Sequence, residues 1–182
     1  MDKSTALAIV GGYADLVLIG QVLVVLLVVL FILGSLSKKN KTLGKIFAFL
    51  SEYGLIFSFF VALVAMSGSL FFSEVAHFLP CKLCWYQRIC MYPQVLILGI
   101  AAFKNDFSVK KYIIPLSVIG LCISIYHYLL QMSPFPLPCS DEIVSCAQKP
   151  FAYFGYITIP LMALTAFILI ILFLIASKEK KK

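Results

Sequence analysis

Charge is what this sequence has least of. Of its 182 residues 13% are charged and only 8 are acidic, while 62% are hydrophobic, and the mean hydropathy is +1.03. That balance excludes an ordinary soluble domain. Internal repeats are absent, and so is low-complexity sequence beyond a terminal lysine run. Little polar chain separates the apolar blocks, so no separate soluble domain is expected. The marks of a cleavable signal peptide are missing too. The first apolar block is too long, lacks a small-x-small site, and has its lysine cluster after it. It is expected to be a retained helix.

What is present is apolar sequence in blocks of bilayer-spanning length, about 20 residues each. Five are read: Leu16–Leu36, Ile46–Phe72, Cys84–Phe103, Tyr112–Met132 and Phe154–Ala176. A helix satisfies its own backbone hydrogen bonds in lipid, so the expected fold is an all-α integral membrane bundle. The net charge of +7 is spread in a telling way. Lys38, Lys39, Lys41 and Lys45 follow the first block, Lys104, Lys110 and Lys111 lie between the third and fourth, and Lys178, Lys180, Lys181 and Lys182 lie in the tail. With five alternating helices these segments share one side, which the positive-inside rule makes cytoplasmic. The C-terminus is then cytoplasmic and the N-terminus outside. The basic balance reads as a topology signal with some attraction to anionic lipid, and no nucleic-acid partner is expected. The Ser73–Cys81 and Ser133–Pro150 loops fall on the outer side, where disulfides persist.

Chemistry concentrates in the run Cys81-Lys-Leu-Cys84-Trp-Tyr-Gln-Arg88, at the mouth of the third block. A C-x-x-C pair can bind metal, hold a structural disulfide or carry electrons. If the helix begins near Leu83, Cys84 lies in its first turn, where unpaired N–H groups and the helix dipole stabilise a thiolate. Arg88, one turn deeper on the same face, favours that thiolate and can hydrogen-bond the carbonyl of a lipid-soluble oxidant. Snorkelling to headgroups is the alternative for an arginine at this depth.

A second pair, Cys139 and Cys146, lies in a long loop that begins with Pro134, Pro136 and Pro138. Either it pins the loop as a structural disulfide, or it shuttles electrons, Cys139 exchanging with a partner thiol and Cys146 resolving. A four-cysteine zinc site is the weaker reading, because the second spacing is loose and the compartment oxidising. No metal is expected. Covalent haem is excluded, since Trp85 stands where C-x-x-C-H needs histidine.

The remaining candidates have plainer readings. Cys90 and Cys122 lie inside helices and behave as small hydrophobes. His127, near the outer end of the fourth block, is a packing residue or, beside a redox acceptor, a proton relay. His77 is a solvated loop residue. Trp85, Tyr86 and Tyr92 fit an interfacial aromatic belt, and Trp85 can also wall a cleft. Glu52 is an interfacial carboxylate near Lys45. Ser67-Gly68-Ser69 lets another helix approach closely.

The run PCKLCWYQRICMYP (Pro80–Pro93) closely resembles the DsbB family of bacterial disulfide-forming membrane proteins. So do SEYGL at the second helix, SLFFSEV before the pair, and YHYLLQ in the fourth, and the likeness runs from about Leu50 to Ala176. It implies a four-helix bundle in the bacterial inner membrane. That bundle oxidises an extracytoplasmic thioredoxin-fold (DsbA-like) protein and passes the electrons to a quinone, ubiquinone or menaquinone. By motif, Cys84 contacts the quinone with Cys81 as its disulfide partner, and Arg88 binds it. His127 sits near the quinone ring. Cys139 forms the mixed disulfide with the thioredoxin-fold partner, and Cys146 completes the second pair.

This chain departs from the pattern by an additional N-terminal transmembrane helix and basic connector (1–41) before the four-helix domain (42–182). Its Cys139–Cys146 spacing is also shorter than in the best-known members. A vitamin K epoxide reductase-like enzyme and a membrane protein with purely structural disulfides are the competing expectations.

Overall fold

The computed structural model describes residues 3–36, 41–133 and 145–178. Five α-helices run in chain order: α1 Lys3–Leu36, α2 Lys41–Leu70, α3 Lys82–Lys104, α4 Lys110–Met132 and α5 Ile159–Ala176. No strand occurs among the described residues. The protein is an all-helical, multi-pass membrane protein. Among the described residues four spans are long and apolar enough to cross a bilayer: Ala8–Ser35, Lys41–Val75, Phe107–Met132 and Ile159–Ala176. The remaining helix, α3, carries Gln87, Arg88 and Gln94, which lower its hydropathy and make it the polar helix of the bundle.

Several boundaries differ from the sequence reading. α1 begins at Lys3, not Leu16, because nothing from residue 4 to 15 stops a helix. Even Gly11 is supported by packing, since a Cβ there would lie 3.3 Å from the Tyr153 hydroxyl. α2 runs from Lys41 rather than Ile46 and ends in a π-helical turn, Phe71–Val75. α3 begins at Lys82 with Cys81 as its extended N-cap. α5 begins at Ile159 rather than Phe154. Before it the chain reverses through an isolated bridge between Tyr153 and Ile157; within that three-residue loop the Tyr156 N–H donates to the Tyr153 carbonyl at 3.2 Å, with Phe154 and Gly155 both at positive φ, as the central residues of a primed turn require.

The core lies among α2, α3, α4 and α5, around Leu98, Ile113, Phe167, Ile170 and Leu174. Helices associate in lipid by close packing and a few polar contacts rather than by hydrophobic expulsion. Both are present. Gly120 gives the Phe167 ring its place, where any Cβ would collide with it. Gly54 lets α2 approach the α5 backbone, a Cβ there falling 2.6 Å from the Phe173 carbonyl. Between α3 and α4 runs a buried polar ladder. Gln87 Nε2 donates to Ser124 Oγ at 3.2 Å, and Ser117 Oγ donates to Gln94 Oε1 at 3.0 Å.

Lysines from separate segments gather at one end of the bundle. Lys110 Nζ donates to the Ser177 carbonyl, and Lys178 N–H donates to the Ser51 carbonyl at 3.3 Å. Cys81 and Cys146 pack together at the opposite end. The charge pattern and the cysteine pattern therefore separate along the bundle axis.

Candidate redox site

The site is built on the start of α3. Cys81, as N-cap, is buried and turned inward, and Cys84 follows in the first turn. Their sulfurs are 3.2 Å apart in a thiol–thiol hydrogen bond, near enough for side-chain rotation to close a disulfide. His127 comes from α4, 1% exposed. Its Nε2 lies 3.6 Å from Cys81 Sγ and 3.2 Å from the Cys146 carbonyl oxygen.

These contacts redistribute the acidity expected from sequence, which points to Cys84 as the thiolate. The Cys81 thiol, which precedes the helix, titrates well below the ordinary thiol range. The hydrogen bond with Cys84 is the largest cause; burial opposes it, and His127 adds to it. Two thiols in contact share one proton, and the first to ionise is stabilised by the S–H of the second.

The Arg88 side chain is tied to α2. Its Nε donates to Ser69 Oγ at 3.0 Å, and a terminal nitrogen donates to the Ser69 carbonyl at 3.1 Å. The Tyr92 hydroxyl donates to the same Ser69 Oγ at 3.2 Å. Trp85 lies with its ring centroid 5.1 Å from the guanidinium carbon. The guanidinium is thus held between α2 and α3 with donors to spare. Ser69, expected only to ease packing, is its anchor, and the π turn that starts two residues later brings Phe72 into the core.

A cleft of about 340 Å³ connects these groups. Cys81, Cys84, Gln87, Arg88, His127 and Gln131 line its polar part, and aliphatic and aromatic side chains of α1, α2 and α5 line the rest. Two buried polar atoms on this lining, His127 Nδ1 and Gln131 Oε1, have no hydrogen-bond partner among the described residues. Ligand pockets commonly have this volume and this mixture.

Cys146 corrects the picture of an exposed loop pair. It is disulfide-bonded, 1% exposed, and packed in one cluster with Cys81 and Leu130. Cys139 lies outside the described residues. Cys90 is buried in the core, as expected, and Cys122 faces outward from α4; both are free thiols. His77 is exposed. Sulfur and ring-nitrogen atoms of Cys81, Cys84 and His127 lie within 4.8 Å of one another, a cluster with ligand chemistry for a soft cation as well as for redox work.

Residues 50–177 match the family of "Disulfide bond formation protein DsbB". "Disulfide bond formation protein C" of Bacillus subtilis (strain 168) is 56% identical over 127 residues, covering 68% of this chain and 91% of that protein. A "Probable disulfide formation protein" of Coxiella burnetii (strain CbuK_Q154) is 43% identical over 133 residues, covering 71% and 90%. A "Probable disulfide formation protein C 1" of Bacillus anthracis is 46% identical over 123 residues, covering 65% and 87%. No solved structure matches the chain.

Proposed function

Because the chain belongs to the DsbB family of disulfide bond formation proteins, we propose that it is a thiol:quinone oxidoreductase that reoxidises an extracytoplasmic thioredoxin-fold protein. The observation that carries this reading is the convergence of Cys81, Cys84, His127 and a Ser69-anchored Arg88 on one apolar cleft. The cleft suits a quinone: a guanidinium and the unpartnered His127 Nδ1 to donate to the carbonyls, and apolar walls for the rest of the molecule. Arg88, Cys84 and His127 would hold it. When bound, the quinone supplies a two-electron, two-proton acceptor, so that one dithiol becomes one disulfide as quinone becomes quinol.

The protein's own groups account for the remaining chemistry. Cys139 takes the attack of the partner's thiolate on a Cys139–Cys146 disulfide, forming the mixed disulfide and releasing Cys146 as thiolate. The partner's second thiolate then displaces Cys139 and leaves oxidised. The freed dithiol reduces the Cys81–Cys84 disulfide by the same exchange. Cys146 already packs beside Cys81, with His127 touching both residues, so this step needs no long excursion by Cys146. His127 Nε2 holds or returns a proton at Cys81. The start of α3 and the Cys84 S–H favour negative charge at Cys81, and Arg88 follows one turn after Cys84.

The orientation follows from the lysine segments. The redox cysteines face the extracytoplasmic side of the bacterial cell membrane, and the C-terminus is cytoplasmic. Residues 42–182 form the redox domain, and 1–41 is an added helix with its connector.

The test uses Cys139→Ser. It is expected to reduce quinone with a small dithiol that reaches Cys81–Cys84 directly, and to fail with a reduced thioredoxin-fold protein. Normal turnover with that partner contradicts the shuttle.

A further inference from the structure

The family match begins at residue 50, so α1 lies outside it. Nevertheless α1 is docked along its length. A heptad-spaced seam of Val10, Tyr13, Val17, Gly20, Val24 and Leu27 faces the bundle, each residue buried or half-buried. At the outer end the Tyr13 ring fills the notch left by Gly68, where a Cβ would lie 2.9 Å away. It meets Phe72 edge-on at 5.5 Å. In the middle Gly20 lies against α5, a Cβ there falling 3.2 Å from Thr165 Cγ2 and 3.4 Å from Leu169 Cδ1. The Tyr156 hydroxyl donates to Gln21 Oε1 at 3.1 Å. Further down, Leu27 joins Leu50, Leu169 and Phe173 in one buried cluster.

Tyr13, Leu16, Val17 and Gly20 also line the cleft that holds Cys81, Cys84, Arg88 and His127. They cover about 10 Å of helix axis. The polar groups fix the ring end of an acceptor, so its hydrocarbon part must lie along the apolar walls. One of those walls is α1, facing Val61 and Val64 of α2 and Leu169 of α5.

We propose that α1 is a permanent wall of the acceptor cleft, and that the polyprenyl tail of a membrane quinone lies against Val17. This rests on the quinone reading above. α1 is then a specificity element rather than a passive anchor, and Val17 acts on tail binding without touching the reacting atoms.

Binding can be read without turnover. Trp85 is the single tryptophan and stacks beside Arg88, so quinone quenching of its fluorescence in nanodiscs reports occupancy. The probes are a benzoquinone and a naphthoquinone, each with and without a polyprenyl tail. Val17→Phe is expected to weaken the tailed quinone about tenfold, the scale of one misfitted apolar group, and to leave the tailless ring unchanged. Val22→Phe, on the outward face of α1, should change neither. Equal affinities of wild type and Val17→Phe for the tailed quinone overturn the proposal and leave the quinone reading standing. Wild type that binds no quinone overturns both. If Val17→Phe loses tailed and tailless ligands alike, Val17→Ala decides. A several-fold loss for the tailed form alone supports the wall, and an unchanged value overturns it.

Discussion

At the scale of single residues, the proposed chemistry depends on how Arg88 and Cys81 are held. Ser69 Oγ accepts from both Arg88 and Tyr92. Ser69→Ala removes both of these bonds but leaves the Ser69 carbonyl on Arg88; loosening the guanidinium by about 1 kcal/mol is expected to lower quinone affinity about fivefold while the KM for the thiol partner stays unchanged. Arg88→Ala removes charge-assisted bonding worth about 1.5–3 kcal/mol and should weaken quinone binding about ten- to a hundredfold. Fluorescence quenching at Trp85 separates the two losses.

For Cys81, the lowered pKa means the thiolate persists below the ordinary thiol range and is lost only as pH falls through that depressed value. Thiolate ultraviolet absorbance, taken as wild type minus Cys81→Ser under reducing conditions, should therefore survive into mildly acidic buffer. Cys84→Ser and His127→Ala should each move the midpoint upward, Cys84→Ser by more because its contact is the larger cause. A wild-type midpoint at an ordinary thiol value contradicts this assignment.

At the scale of elements, much is legible in sequence and the omissions have physical reasons. The five apolar blocks correspond to five helices, because span length and hydropathy are local properties. Their ends differ where the stop signals are tertiary. Cys81 is the N-cap of α3, and Phe154–Gly155 form a turn ahead of α5. Sequence gives Ser69 only a packing role, since nothing nineteen residues upstream of Arg88 marks it as a partner.

The α3–α4 ladder does leave a trace. Gln87 and Gln94 are seven residues apart, as are Ser117 and Ser124, and antiparallel packing joins them crosswise. Such bonds in membranes average about 0.6 kcal/mol and reach about 1.7. Gln94→Leu, which costs Ser117 its partner, should destabilise the bundle within that range, measured by denaturant or steric-trapping unfolding. The double variant Gln94→Leu/Ser117→Ala should recover part of the loss.

At the scale of the whole molecule, the bundle keeps basic segments at one end and redox groups at the other, with the cleft beside the redox end. The sequence motif anticipates the Cys81–Cys84 pair, Arg88 and His127, all of which the fold brings to that cleft. It does not anticipate that Cys146 is buried beside Cys81, because burial of a loop cysteine is decided by the helices around it, here through Leu130. Nor does it give α1 a role, since only the three-dimensional packing brings residues 13–20 to the same cleft as residue 84.

Thiol:quinone oxidoreduction is tested by mixing purified protein, a membrane quinone and a reduced thioredoxin-fold dithiol and following quinone absorbance for wild type and Cys84→Ser. Catalytic loss of quinone is expected in wild type and none in Cys84→Ser. No catalytic loss in wild type with both benzo- and naphthoquinones, or equal rates in the two proteins, would contradict it.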